Sequence, residues 1–494
     1  MPWNIHQTIE DEIKFRIPPG FQIPPDMGEP IPTRVFTSTY FDSEHHRLGQ
    51  LGLTLRKRVE QAHGVWQLKI PSGAVRLELN IDSGSRSIPW EFQDLLTAFF
   101  RTQEAIQLGK LRTKRKGVRI QKDSQVIAEV VLDSVALIRD KKTVHAFQEL
   151  EVELQDGTAA QLKPIRKILL QAGAEEKALQ PKIFQALQLP YPLALELSDP
   201  SAPATEHIQE RLHSQFLQML QHDPGTRLGR DSEALHRMRV ATRRMRAIIR
   251  AVRTFLAPEW TEHVRQELGW VGSLLGEVRD GDVILESFRH HFHDLSRQEQ
   301  RAFQSILKKF EDQRSMARAK LLEGLRSDRY LTLLNHFEDS LTRLPFQPSP
   351  LTITELARKA FHKVQDFVRA SHNFFPKAEL HRTRILLKRA RYALELAEPL
   401  LGKRVKRFLE QAKHTQDLLG YHQDAVVAEQ RLLAIKQHSR GTGIAYVTGL
   451  MVERFRNQQS QVHQQIPKQW QQLQKQGKTL QRLIPILLDA FRLG

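Results

Sequence analysis

Two basic segments of the chain repeat one another 145 residues apart. Leu235-His236-Arg237-Met238-Arg239, followed by Arg243-Arg244-Met245-Arg246, matches Leu380-His381-Arg382-Thr383-Arg384, followed by Lys388-Arg389-Ala390-Arg391. Leu274-Leu275-Gly276 with Asp280 then matches Leu418-Leu419-Gly420 with Asp424. Two motifs in one order at nearly one offset mark a duplication. Both lie in sequence whose apolar period is helical from Glu206 onward. Leu344-Pro345-Phe346-Gln347-Pro348-Ser349-Pro350 separates the copies. The pattern predicts an all-α region built twice, about 206–343 and 352–494.

The region upstream obeys a different period. Leu53 to Val59, Val65 to Ile70, Val75 to Leu79, Val126 to Leu132 and Gln148 to Leu154 alternate apolar and polar residues, the signature of strands. Helical patterns interrupt at about Glu91 to Gln107 and follow at Ala160 to Gln171. Pro190, Pro192, Pro200 and Pro203 then mark a linker. The expected division is 1–190, a linker at 191–205, and 206–494. A chain of 494 residues is too long for one core.

The charge divides at the same place. Residues 1–200 hold 26 Lys and Arg against 25 Asp and Glu, a net of +1, whereas the remainder holds 48 against 31, a net of +17. A basic field of that size recruits polyanions. The absence of cysteine excludes disulfides, thiolate metal sites and cysteine nucleophiles, and suits a reducing compartment. Met1 to His6 lacks the basic and apolar parts of a signal peptide, and no run of about 18 apolar residues offers a membrane span. A cytoplasmic location without membrane association is therefore expected.

On a strand, Glu10, Glu12 and Lys14 share one face, and so do Glu149, Glu151 and Glu153. Arg56 pairs with Arg58 in this way, Arg76 with Glu78, and Glu129 with Asp133. A solvated face accounts for any one of these rows but poorly for all of them together. If the strands close into a barrel, the rows point inward, and a charged lumen needs a charged ligand. Carboxylates suit Mg²⁺ or Mn²⁺, and Arg and Lys suit phosphate oxygens.

The first 190 or so residues resemble the CYTH family, also called triphosphate tunnel metalloenzymes. Its Glu-x-Glu-x-Lys signature matches Glu10, Glu12 and Lys14. Tyr40-Phe41-Asp42, Arg56, Arg58, Lys69, Arg76-x-Glu78, Arg115, Asp133, Glu149, Glu151, Glu153 and Lys182 follow in the family's order. Asn80, Val118 and Pro181 depart from its usual pattern. The resemblance implies an eight-stranded antiparallel tunnel in which Glu10, Glu12 and Lys14 act in catalysis. Arg56, Arg58, Lys69, Arg76, Arg115 and Lys182 would then hold triphosphate, and Glu10, Glu12, Asp133, Glu149, Glu151 and Glu153 would be the candidates for Mg²⁺ or Mn²⁺.

At about 100° per residue, His236, Arg239, Arg243, Arg246 and Arg250 fall within about 80° of one helix face. His381, Arg384, Lys388 and Arg391 repeat the spacing. Stacked like charges repel, so two matched copies suggest an anion beside each stripe more than two solvated faces. This half resembles the CHAD family, an α-helical domain with conserved histidines made of two pseudo-symmetric four-helix bundles. The resemblance implies that these nine residues bind inorganic polyphosphate without catalysis. The whole would be an α+β multidomain protein, a metal-dependent inorganic triphosphatase joined to a polyphosphate-binding module that could hold it on polyphosphate granules. A non-catalytic polyphosphate receptor is the competing expectation. Adenylate cyclase or thiamine triphosphatase chemistry would need an aromatic cluster in the tunnel strands, and none is evident. Nucleic acid ranks below polyphosphate because the stripes lack interleaved aromatics.

Overall fold

The computed structural model describes residues 5–73, 75–177, 180–189, 202–349, 352–370, 377–438 and 441–491. Most of the expected linker, 191–201, lies outside them. The chain divides into two compact units, Met1–Ala194 and Leu195–Gly494.

Ten strand segments make one antiparallel sheet in the first unit: β1 (His6–Glu10), β2 (Glu12–Arg16), β3 (Glu29–Asp42), β4 (Thr54–Glu60), β5 (His63–Ser72), β6 (Val75–Asp82), β7 (Ile106–Lys122), β8 (Gln125–Arg139), β9 (Lys142–Leu154) and β10 (Glu175–Glu176). β1 and β2 are one path broken only at Asp11. β1 is hydrogen-bonded to β6, placing Glu10 opposite Arg76, and β2 to β9, placing Glu12 opposite Glu153. The Asp11 carbonyl accepts from the Leu154 N–H at 2.9 Å. The ladder thus closes on itself, and eight strands enclose a lumen, with β10 a two-residue addition to β2.

Three hairpins fix the register. Gln61 and Ala62, Asp123 and Ser124, and Asp140 and Lys141 all have positive φ in two-residue turns. This mirror-image turn matches the strand twist. Outside the barrel, Val118, Val130, Leu150 and Val152 pack with Leu162, Ile165 and Leu169 of a helix at Ala159–Gln171.

Helices α1 (Arg47–Gln50), α2 (Trp90–Leu95), α3 (Thr97–Phe100), α4 (Ala159–Gln171) and α5 (Lys182–Leu187) complete this unit. The helix expected at Glu91 to Gln107 is shorter than its pattern. Phe92, Leu95, Leu96, Phe99 and Phe100 are buried, but Arg101 takes φ 55 and ends it. Ile106 and Gln107 instead pair with Asp42 and Phe41 of β3. One end of the lumen is closed by α5. Its Ile183, Phe184 and Ala186 pack on Tyr40, Leu111, Val135 and Leu137. A Cβ on Gly49 would overlap the Phe184 ring, so only glycine fits beneath this plug.

The second unit contains α6 (Ala204–Leu228), α7 (Ser232–Ala251), α8 (Pro258–Phe292), α9 (Arg297–Arg326), α10 (Asp328–Thr342), α11 (Ile353–Ala370), α12 (Lys377–Leu401), α13 (Lys403–His438) and α14 (Thr442–Phe491). In order, α6 to α8 correspond to α11 to α13. The long α14 is matched by α9 plus α10, a helix interrupted where the Ser327 side chain caps the second segment. The repeats also share a core, with Phe288, Phe303 and Phe310 meeting Ala425, Met451 and Phe455. The Pro-containing break between repeats is pinned: the Ala257 N–H donates to the Pro345 carbonyl at 2.9 Å, and the Gln347 N–H to that of Phe255 at 2.8 Å.

Candidate functional site

Closure of the barrel turns the charged strand rows into one lumen of ≈180 Å³. Glu10, Glu12, Lys14, Arg56, Arg58, Lys69, Arg76, Arg115 and Lys182 all line it. These charges are already matched to one another. Lys14 Nζ lies 2.8 Å from Glu149, 2.5 Å from Glu151 and 3.6 Å from Glu12. Arg115 grips both oxygens of Asp133 at 2.9 Å and reaches Glu151 at 3.0 Å and Glu153 at 2.7 Å. Lys182, at the first position of α5, meets Glu151 at 2.7 Å and Asp133 at 3.0 Å. Lys69 binds Glu10 at 2.6 Å and Glu78 at 3.1 Å, and Arg76 binds Glu12 at 3.3 Å.

Burial alone would raise the Glu151 pKa, but Lys14 and Lys182 outweigh it and hold this carboxylate well below the ordinary range. Asp133 is lowered in the same way by Lys182 and Arg115, against burial. Glu149 moves up, through burial and the nearby charge of Glu151. Glu153 is also raised, by burial and by the charges of Glu151 and Glu10, with Arg115 opposing. Arg58 is pushed down to about 10 by burial and by Arg56.

The six proposed metal ligands therefore separate. Asp133 and Glu149 are wholly buried on the lumen side beneath Lys182 of α5, and with Glu151 they hold Lys14, Lys182 and Arg115. Glu10, Glu12 and Glu153 meet at the β1–β2 closure. Among the described residues, no three acidic or imidazole groups stand as a ready-made cage. The donor set at that closure, Glu10, Glu12 and Glu153, still fits Mg²⁺ or Mn²⁺, because it is all carboxylate oxygen.

Phe36 and Gln67 were not singled out in the sequence. Phe36 and Tyr40 do stand in the tunnel wall, although no aromatic cluster was expected there. The Arg58 guanidinium stacks 3.7 Å from the Phe36 centroid, and Arg56 donates to the Tyr40 hydroxyl at 3.1 Å. Gln67 accepts from Arg56 at 2.8 Å and donates to Glu78 at 3.0 Å and Asn80 at 2.9 Å. Asn80 in turn donates to Glu78 at 3.1 Å, which a carboxylate there could not do. Val118 faces the outer core, so its departure from the family pattern does not reach the lumen. Asp42 is buried and accepts from the N–H groups of Ser43, Leu48 and Gly49; it caps α1 and lies off the lumen.

In the second unit, α7, α11 and α12 frame a cavity of ≈540 Å³. Nine of its lining residues are Arg or Lys and none is acidic. Arg243, Arg246, Arg250 and Lys388 line it, as expected from the stripes. Arg253, Arg265, Lys359, Lys363 and Arg389 join them from positions the repeat does not mark. His236, Arg239, His381, Arg384 and Arg391 lie off the cavity. His381 Nδ1 sits 3.2 Å from the Gln423 side-chain oxygen, and Arg391 lies 3.4 Å from Glu395. The second repeated motif acquires a meaning here. Arg239 and Arg384 pass over Gly276 and Gly420, where a Cβ would stand 3.7 and 3.2 Å from their Nη2 atoms. Asp280 holds Arg239 at 3.0 Å, and Asp424 feels Arg384 most among its neighbouring charges.

Lys388 pays for this crowding: burial, then Arg384, Arg243 and Arg239, lower its pKa from 10.5 to about 7. The unfolded chain therefore binds more protons than the folded one between about pH 7 and 10.5, so stability rises with pH across that window. The urea midpoint of the helical signal should climb from pH 7 to 9. Lys388→Met should be more stable at pH 7 and show a flatter climb. Equal pH dependence in the two proteins would contradict the assignment.

Comparison with known proteins agrees with this division. Residues 8–180 match the family model described as the CYTH domain, and residues 210–433 the CHAD domain. Over 437 residues the chain is 25% identical to an uncharacterised protein of Mycobacterium tuberculosis strain H37Rv, covering 82% of this chain and 83% of that one. Among solved structures, PptA from Streptomyces chartreusis is similar at 21% identity and a TM-score of 0.47, over 55% of this chain and 100% of that one. The CHAD domain from the plant Ricinus communis is similar at 24% identity and a TM-score of 0.44, over 55% and 92%. Among the described residues no helix is long and apolar enough to cross a membrane.

Proposed function

We propose that this chain, a CYTH domain followed by a CHAD domain, hydrolyses inorganic tripolyphosphate or a related triphosphate in its tunnel and binds polyphosphate along its helical seam. The observation that carries the first part is the lumen, a closed barrel whose wall is almost wholly Arg, Lys, Glu and polar side chains. Its ion pairs are exchangeable. A triphosphate entering the lumen offers Arg56, Lys69 and Arg76 phosphate oxygens in place of Gln67, Glu10, Glu78 and Glu12, and meets Arg58 through the nitrogens that Glu60 does not hold. Glu10 and Glu12 are thereby released, and with Glu153, opposite Glu12 on β9, they would hold Mg²⁺ or Mn²⁺. The ion, when bound, supplies Lewis-acid polarisation and positions the attacking water.

The chain's own residues do the rest. Water adds to the terminal phosphorus, the P–O bond to the bridging oxygen breaks, and orthophosphate and pyrophosphate form. The water's proton leaves through the lumen carboxylates. Lys14, Arg115 and Lys182, fixed by Glu149, Glu151 and Asp133, present positive charge that need not reorganise as charge develops on the leaving group. Chemistry that needs a stacked base is disfavoured, because Arg58 covers the ring of Phe36 and Arg56 ties up the Tyr40 hydroxyl.

The cavity framed by α7, α11 and α12, with nine cations and no acid, supports the second part. Phosphate release from tripolyphosphate by the full chain, with Mg²⁺ or Mn²⁺ and then with excess chelator, tests the enzyme reading. Metal-dependent release is expected. No release from folded protein with either metal would overturn it in favour of a non-catalytic polyphosphate receptor.

A further inference from the structure

One ion-pair cluster at the lumen edge belongs to neither the catalytic nor the metal set. Glu60, the last residue of β4, lies opposite Phe36 of β3. Arg34, two residues along β3, stands opposite Arg115 and lines the lumen. The β3–β7 register shifts between Ile31 and Arg34, an irregularity of the kind that re-aims side chains beside sites. Arg34 chelates Glu60 through Nε and Nη2, both at 2.7 Å, and Arg58 Nη2 reaches the same carboxylate at 2.8 Å. The neighbouring acid Glu129 is engaged by Arg119 at 2.8 Å.

This cluster lies away from the plug. The lumen end at Tyr40 is sealed by α5, whereas Arg34, six residues further along the same strand, has a side chain 48% exposed. Arg56, Arg58 and Arg34 thus form a row that runs outward. Glu60 occupies its outer end with the two-oxygen, two-arginine geometry that a phosphate group would adopt. Both arginines hold the Glu60 carboxyl down to about 2, so it stays anionic and keeps the position at any working pH.

We infer that Arg34 and Arg58 form an outer anion subsite at the open end of the tunnel, which takes the phosphate beyond the third of a longer substrate, and that Glu60 is the internal anion this phosphate must displace. The subsite rests on the triphosphatase reading of the lumen and deepens it, since it makes chain length a property of one carboxylate. A triphosphate leaves Glu60 in place; a tetraphosphate has to exchange it.

The test compares kcat/KM for inorganic tripolyphosphate and tetrapolyphosphate in the full-length wild type, Glu60→Gln and Arg34→Gln. Glu60→Gln should raise the tetraphosphate-to-triphosphate ratio by about tenfold, and Arg34→Gln should lower it by a similar factor, the worth of one charge-assisted hydrogen bond. Variants that scale both substrates equally would show a merely structural ion pair and overturn the subsite. The same ratio read as calorimetric affinities in chelator keeps the two readings apart. If the wild type turns over neither substrate, the triphosphatase reading fails, and the affinity ratio alone decides the subsite.

Discussion

Replacing Glu10 and Glu12 together with alanine should lower phosphate release from tripolyphosphate by about 10³-fold while strengthening metal-free binding of the same anion. The two carboxylates sit where the barrel closes, on either side of Asp11. They neutralise Lys69, Arg76 and, in part, Lys14. As metal ligands their loss removes several kcal/mol of transition-state stabilisation, and about 4 kcal/mol corresponds to about 10³ in rate. As internal counter-ions, their loss leaves three lumen cations freer to meet phosphate. The two consequences have opposite signs, which separates a chemical role from damage to the fold. An unfolded variant would lose both activity and binding. Activity within about tenfold of wild type would remove Glu10 and Glu12 from the catalytic centre.

The tunnel was legible in the sequence because a strand's period of two writes its lumen face directly into the chain. Glu10, Glu12 and Lys14, or Glu149, Glu151 and Glu153, need no tertiary information to be grouped. What each acid does depends on register across strands, which local pattern does not encode. Asp133 and Glu149 look like Glu10 in sequence, yet the β7–β8–β9 ladder buries them at the plugged end of the lumen, spent on Arg115 and Lys182. Phe36, Gln67 and Glu60 were missed for the same reason: a Phe, a Gln or a strand-terminal Glu is unremarkable until the opposite strand supplies an arginine. In the helical unit, the repeat marked Arg243 and Lys388. Arg265 and Lys359 come from α8 and α11, and only the packing of those helices brings them to the cavity.

Changing Arg243, Arg246 and Lys388 together to glutamine should weaken long-chain polyphosphate binding by about 10³-fold. Each residue lines the acid-free cavity, and two of them face the third from the opposite repeat. A charge-assisted hydrogen bond is worth roughly 1.5–3 kcal/mol, so three lost contacts, even if not fully additive, amount to roughly 4–5 kcal/mol. The salt dependence should soften as well. For a flexible polyanion each neutralised phosphate contributes about 0.7 to the slope of log affinity against log salt, so the variant's slope should be smaller by about 2. Arg329→Gln is the control, because Arg329 is ion-paired with Glu267 at 2.7 Å and lies off the cavity; it should bind as the wild type does. The variant should fold at least as well as wild type, since Arg243 is among the charges that depress Lys388 and removing both relieves repulsion within the seam. A stable triple variant that keeps its affinity and its salt slope would move the polyphosphate site elsewhere on the basic unit. A stable variant that loses both would place it between the two repeats, where the duplication juxtaposes its basic helices.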